Sequence, residues 1–192
     1  ENSKPRELWL ADLLEGKLSG GTGLSNAVKF LSGIEELQVK ITEKDGKRYL
    51  NGRLPWVTNL SQNGFVTIFA AEYADGSKPP IIAVLPSDAE GVTRTHELSL
   101  VALQGSNTVA VAIEQVELPD EWIIAENAAE YLAKVRPSFL GLQCPMAFGL
   151  AARSLQEVAH SLARVNNRSI LKPEYDAQVA KLAELEKALA EG

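Results

Sequence analysis

Tyr49-Leu50-Asn51-Gly52-Arg53-Leu54-Pro55-Trp56-Val57-Thr58-Asn59 is the stretch that decides the fold of this chain. Aromatic and β-branched residues of this kind fit a pleated, half-buried surface better than a helix. Upstream, Val39 to Thr42 and Arg48 to Asn51 flank Glu43-Lys44-Asp45-Gly46, whose Asp-Gly pair supplies the positive φ of a tight hairpin. Downstream, Phe65 to Tyr73 stops at Asp75-Gly76, Ile81 to Leu85 is bracketed by Pro80 and Pro86, and Val109 to Leu118 stops at Pro119. Strands so closely spaced, with no helix between them, predict an antiparallel barrel or sandwich and not a parallel nucleotide-binding sheet.

Helical signal flanks this β-region. From Pro5 to Gly16, Leu10, Leu13 and Leu14 recur at helical spacing, and the small-residue stretch Ser19-Gly20-Gly21-Thr22-Gly23 reads as a loop leading into a helical turn. After Pro119, Leu155, Val158, Ala159 and Leu162 make one apolar helix face, and Val179, Leu182, Leu185 and Leu189 make another. Pro137 and Pro145 each predict a helix start or kink, and Leu171-Lys172-Pro173 the turn into the last helix. The chain therefore reads as an α+β protein with a helical lead-in over 1–34, a middle β-barrel over 35–119 and an incomplete helical domain over 120–192.

Composition narrows the function classes. The chain has 192 residues, 45% of them hydrophobic, and a formal net charge of −6, which suits a globular protein and speaks against broad nucleic-acid binding. No apolar run approaches the roughly 20 residues of a membrane span, and no secretory signal opens the chain, so the cytoplasm is the expected compartment. A single cysteine, Cys144, excludes an internal disulfide and is expected as a small buried apolar residue. His96 and His160 lack metal-ligand spacing, so no metal site is expected. Gly20-Gly21-Thr22-Gly23 is neither a P-loop nor a dinucleotide fingerprint, and Gly105-Ser106 lacks the nucleophile-elbow frame.

The opening stretch resembles the segment of acyl-CoA dehydrogenases in which a strand, an Asn-Gly turn and a Trp-Ile/Val-Thr/Ser-Asn strand lead onto the face of a flavin. Further stretches agree in order and spacing: Ile82-Ala83-Val84-Leu85-Pro86 with Glu90-Gly91-Val92; Leu103-Gln104-Gly105-Ser106-Asn107-Thr108 with Val116-Glu117-Leu118-Pro119; and Arg136-Pro137 with Gly149-Leu150-Ala151-Ala152-Arg153-Ser154-Leu155. The resemblance implies FAD as cofactor, with Trp56 packed on the isoalloxazine and Thr58 at its reactive edge. It also implies an acyl-CoA or related substrate and a homo-oligomer, a dimer or tetramer. The chemistry is sensible in itself, since a flat aromatic excludes water beside a redox ring and a hydroxyl stabilises charge on a ring nitrogen. On the residues alone, Trp56 serves equally as a β-core aromatic and Thr58 as a strand former.

The chain also departs from the family pattern. The Thr-Glu-Pro-x-x-Gly-Ser-Asp loop survives only as Ser25-Asn26-Ala27 and Leu31-Ser32-Gly33, where Ser25 replaces the flavin-binding Thr and Ser32 the substrate-side Ser. Gln104 stands where Arg is usual, and Val165 where an Arg grips the FAD pyrophosphate, with Arg164 and Arg168 nearby as substitutes. Arg136 matches a substrate-side position, with a helix cap or inter-helix charge as its plain alternative. The usual catalytic Glu would lie past the end of the chain, and Val135, which holds the alternative position, accepts no proton. The reading is a flavin-dependent oxidoreductase performing α,β-dehydrogenation of an acyl-CoA thioester, seen as a fragment or truncated form. A flavin monooxygenase on the same fold, or a non-catalytic remnant without FAD, stays open beside it.

Overall fold

The computed structural model describes residues 2–96, 98–164 and 171–191, which divide into two compact units, 1–132 and 133–192. The first unit runs α1 (Lys4–Leu14), β1 (Ser19–Gly23), α2 (Ser25–Leu31), β2 (Val39–Lys44), β3 (Lys47–Val57), β4 (Phe65–Tyr73), β5 (Ile81–Pro86), β6 (Val92–Arg94), β7 (Val109–Glu117) and β8 (Ile123–Ala125). The eight strands among the described residues form one sheet in the order β6-β7-β3-β2-β4-β5-β8, with β1 alongside β4. Ile81, Ala83 and Leu85 of β5 share one buried core with Val109, Val111 and Ile113 of β7. Strands that distant in the sheet order can meet only if the sheet curls over on itself, which gives the α+β architecture expected from the strand spacing.

Local chemistry fixes the hairpin. Asp45 and Gly46 both have positive φ, at 52° and 74°, as a two-residue turn twisted to match its strands requires, and Lys44 pairs with Lys47 across it. Two expectations are corrected here. Asn51-Gly52 is no turn: β3 passes straight through it. Gly52, at φ 144°, lies so close to β2 that a Cβ would stand 2.0 Å from the Gln38 carbonyl oxygen. Ser19–Gly23 is no loop either, because it forms β1 and pairs in parallel with Phe65–Phe69 of β4. A Cβ on Gly21 would meet Leu60 Cδ2 at 2.5 Å, Val57 Cγ1 at 2.8 Å and the Thr58 carbonyl at 2.9 Å, so the side chains and backbone packed on this strand leave no room for a side chain at Gly21. β2 also pairs in parallel with β4 at Lys40 and Ile41, and β8 was too short to read as a strand.

Helix α1 is anchored by Trp9, whose ring meets Trp122 edge-on at 6.2 Å, and by Asn2, whose Nδ2 donates to the carbonyls of Asp120 and Ile123. Of its expected apolar stripe, Leu14 is exposed.

α3 (Ala128–Arg164) begins in the first unit, where Ala128 and Leu132 are buried, and continues into the second, which also holds α4 (Lys172–Glu191). α3 passes through both Pro137 and Pro145, so neither starts a helix. Each removes a single backbone donor, a loss a 37-residue helix can carry. Past Leu132 no described residue is fully buried, because two helices alone cannot enclose a core. Cys144 is for that reason half-buried and not fully buried as expected.

Candidate functional site

The candidate site is built where β3 meets β1 and β7. Leu54 pairs with Val111 and Val57 with Val109, so three steps along β3 match two along β7 and one extra residue bulges out of the ladder. Leu54 and Val57 thus both point into the core, while Trp56 points away from it, 59% exposed. Thr58, beyond the buried Val57, is exposed as well. The β-core reading of Trp56 is thereby excluded.

Thr58 is held from behind. Its Oγ1 lies 3.0 Å from Thr108 Oγ1, which lies 2.7 Å from Ser106 Oγ. Ser106 in turn donates to the Leu103 carbonyl at 2.6 Å. The backbones are clipped together: Asn59 N–H donates to the Ser106 carbonyl at 2.9 Å and Leu60 N–H to that of Asn107 at 3.2 Å. Asn59 and Asn107 both take left-handed backbone, at φ 65° and 49°, which Asn tolerates better than most residues. Sequence reasoning assigned Ser106 and Thr108 no part in this. Their one signal was three hydroxyls, Thr58, Ser106 and Thr108, in the segments that carried the family resemblance.

β1 lies against this segment: Gly21 presses on Val57 and Leu60, Gly23 on Leu54, and Asn59 Nδ2 donates to the Gly20 carbonyl at 3.0 Å. Ser25 therefore enters the same neighbourhood as the exposed first residue of α2, two positions after Gly23. The neighbouring Asn26 is buried and pins the loop after α2. Its Nδ2 donates to Glu35 Oε1 at 2.8 Å and to the Glu36 carbonyl at 2.9 Å, and its Oδ1 accepts from Gln38 N–H. That bond from Asn26 holds the Glu35 carboxyl below its ordinary range, with Lys29 adding to the effect. Ser32 closes α2 and donates to the Val28 carbonyl at 2.9 Å, so its proton is engaged within the helix.

In the second unit, Arg136 lies exposed eight residues into α3, too far from the helix start to be a cap. Val135 beside it is a half-buried aliphatic residue. Arg164 ends α3, whereas Val165 and Arg168 fall outside the described residues. His96 and His160 are exposed, and no group of His, Cys, Asp or Glu among the described residues could hold a metal ion. No described helix is long and apolar enough to cross a membrane. A cleft of about 640 Å³ opens elsewhere, lined by Tyr49, Glu90, Glu114, Gln115, Glu117 and Trp122, and includes neither Trp56 nor Thr58.

The exposed face of the site, a flat indole beside an oriented hydroxyl, fits the ring of a flavin. No family model matches the chain. A probable acyl-CoA dehydrogenase of Bacillus subtilis is 28% identical over 118 residues, which is 59% of this chain and 30% of that protein. Among solved structures, a glutaryl-CoA dehydrogenase of Mycobacterium smegmatis in complex with FADH2 superposes with a TM-score of 0.65 at 24% identity, over 97% of this chain and 47% of its own. A prolyl acyl carrier protein oxidase, AnaB, gives a TM-score of 0.73 at 18% identity, over 97% of this chain and 52% of its own. The chain thus spans about half the length of these solved structures and less of the Bacillus protein. In fold and in sequence it resembles the acyl-CoA dehydrogenases.

Proposed function

We propose that this chain supplies the flavin-facing β-domain of a flavin-dependent oxidoreductase acting on an acyl thioester. One observation carries the reading: the bulge in β3 holds Trp56 outward, where it contributes nothing to its own core and offers a flat apolar surface for a ring. When bound, FAD would accept the hydride taken from the acyl chain. Trp56 shields the ring from water, Thr58 meets its reactive edge and Ser25 offers a further hydroxyl beside it. Ser32 and Arg136 belong to the substrate side, and a homo-oligomer completes the reading. The likeness to a carrier-protein oxidase widens the thioester class beyond acyl-CoA to acyl groups held on a carrier protein.

The experiment is FAD uptake by the full-length protein, read from its absorbance. Wild type should bind FAD, and Trp56→Ala should bind at least tenfold more weakly. A protein that takes up no FAD would leave the β-unit a non-catalytic scaffold. A second reading, a reduced-flavin monooxygenase, is favoured by Val135, because that chemistry needs no base to take an α-proton. Turnover of an acyl thioester with an artificial electron acceptor supports dehydrogenation, and turnover only with reduced flavin and oxygen supports the second reading.

A further inference from the structure

We infer that Ser106 and Thr108 form a one-way chain of hydroxyls that fixes Thr58 as a hydrogen-bond acceptor towards whatever covers Trp56. Each hydroxyl has a single proton to give. Ser106 lies 2.6 Å from the Leu103 carbonyl, which can only accept, so its proton goes there. Thr108, 2.7 Å from Ser106, must then be the donor of that pair, and Thr58, 3.0 Å from Thr108, the donor of the next. Thr58 is left with lone pairs alone to offer outward. Thr108 is only 8% exposed, so bulk water does not redirect its proton, and the clips from Asn59 and Leu60 hold the segment in register.

The consequence rests on the flavin reading above. The N5 position of an oxidised flavin has no proton and accepts hydrogen bonds, whereas that of a reduced flavin carries one and donates. An acceptor hydroxyl at that edge favours the reduced state, and a donor hydroxyl the oxidised state. Ser106 and Thr108 are thus positioning residues that set the redox preference of the site through the polarity of Thr58.

The test is the midpoint potential of FAD bound to the full-length protein, measured against a reference dye. Ser106→Ala removes the acceptor for the Thr108 proton, which turns back to Thr58 and frees the Thr58 proton to point outward. The reduced-to-oxidised ratio at fixed potential should fall about tenfold, which for a two-electron couple lowers the potential by about 30 mV. Thr108→Val should shift it in the same direction, and Thr108→Ser, which keeps the hydroxyl, should restore the wild-type value. Unchanged potentials in Ser106→Ala and Thr108→Val would overturn the inference while leaving the flavin reading intact. So would a Thr108→Ser shift as large as that of Thr108→Val. Wild-type protein that binds no FAD would overturn both.

Discussion

Gly52→Ala tests whether β3 is shaped by backbone crowding. Gly52 has φ 144°, a region L-residues avoid, and an added Cβ would stand 2.0 Å from the Gln38 carbonyl oxygen and 2.9 Å from Val39 Cα. Both obstacles are backbone, so no side-chain rotation relieves them. Val39 faces Gly52 as the last pair of the β2–β3 ladder, and Arg53 N–H reaches the same Gln38 carbonyl at 3.4 Å. Relief therefore means prising β2 off β3 at that end. The backbone strain costs about 1–3 kcal/mol, and the lost hydrogen bond about 1 kcal/mol. The smaller entropy of the unfolded Ala chain offsets about 0.4–1 kcal/mol. A net loss of about 2–3 kcal/mol is expected. Gly46→Ala is the control: its φ is 74°, but nothing lies within 4 Å of the added Cβ, so the left-handed cost of about 1–2 kcal/mol, less the same entropy offset of about 0.4–1 kcal/mol, leaves about 1 kcal/mol. Urea midpoints of the β-unit's transition, followed by Trp fluorescence, read both variants in the full-length protein. Gly52→Ala proving no less stable than Gly46→Ala would refute the crowding argument.

Other expectations follow from burial and charge. Phe69, fully buried on β4, should lose about 3–5 kcal/mol as Phe69→Ala in the same urea experiment. Trp56→Ala, by contrast, should change the unfolding free energy by less than about 0.5 kcal/mol, because Trp56 is an exposed residue outside the core, even as FAD binding weakens. Glu35 should titrate below the usual carboxylate range by NMR and move back up in Asn26→Ala. Because the folded state depresses this group, its contribution to stability is present above the ordinary carboxylate pKa and lost as pH falls through the folded value. The variant should therefore lose less stability than wild type across that acid window.

What the sequence made legible was local. Phe65–Tyr73 is found as a strand with the bounds its composition predicts, and the Asp45-Gly46 hairpin forms where two positive φ angles were needed. What escaped was decided by non-local neighbours. Gly20, Gly21 and Gly23 looked like a loop because small residues signal turns, yet Gly21 and Gly23 are crowded by Leu54, Val57 and Leu60 of β3 and the segment after it, and Gly20 by Leu13 of α1. No pattern within β1 or β4 announces that they run parallel, since parallel pairing is set by the path of the chain and not by its composition. At the site, the residue types of Trp56 and Thr58 were readable, but Trp56 suited core and surface alike. Ser106 and Thr108 belonged to a noted segment, yet their geometry with Thr58 spans 50 residues of sequence.

Fold and site meet at Pro55. Strict alternation from Leu54 would send Trp56 into the core beside it, and the extra residue at this point reverses that. Proline suits the position because its missing N–H costs nothing there. Pairing of β3 with β2 has already ended at Gly52, and the ladder to β7 skips from Leu54 to Val57. A second irregularity, between Leu50 and Gly52, puts the extra residue in β7, where Gln115 takes φ 52° and its N–H and Nε2 both donate to Asn51 Oδ1. The two bulges lie on opposite strands of one ladder, so the shift introduced by the first is returned by the second, and Val109 and Val116 both stay in the core. The exposed indole is thus produced by the same register change that keeps β7 aligned.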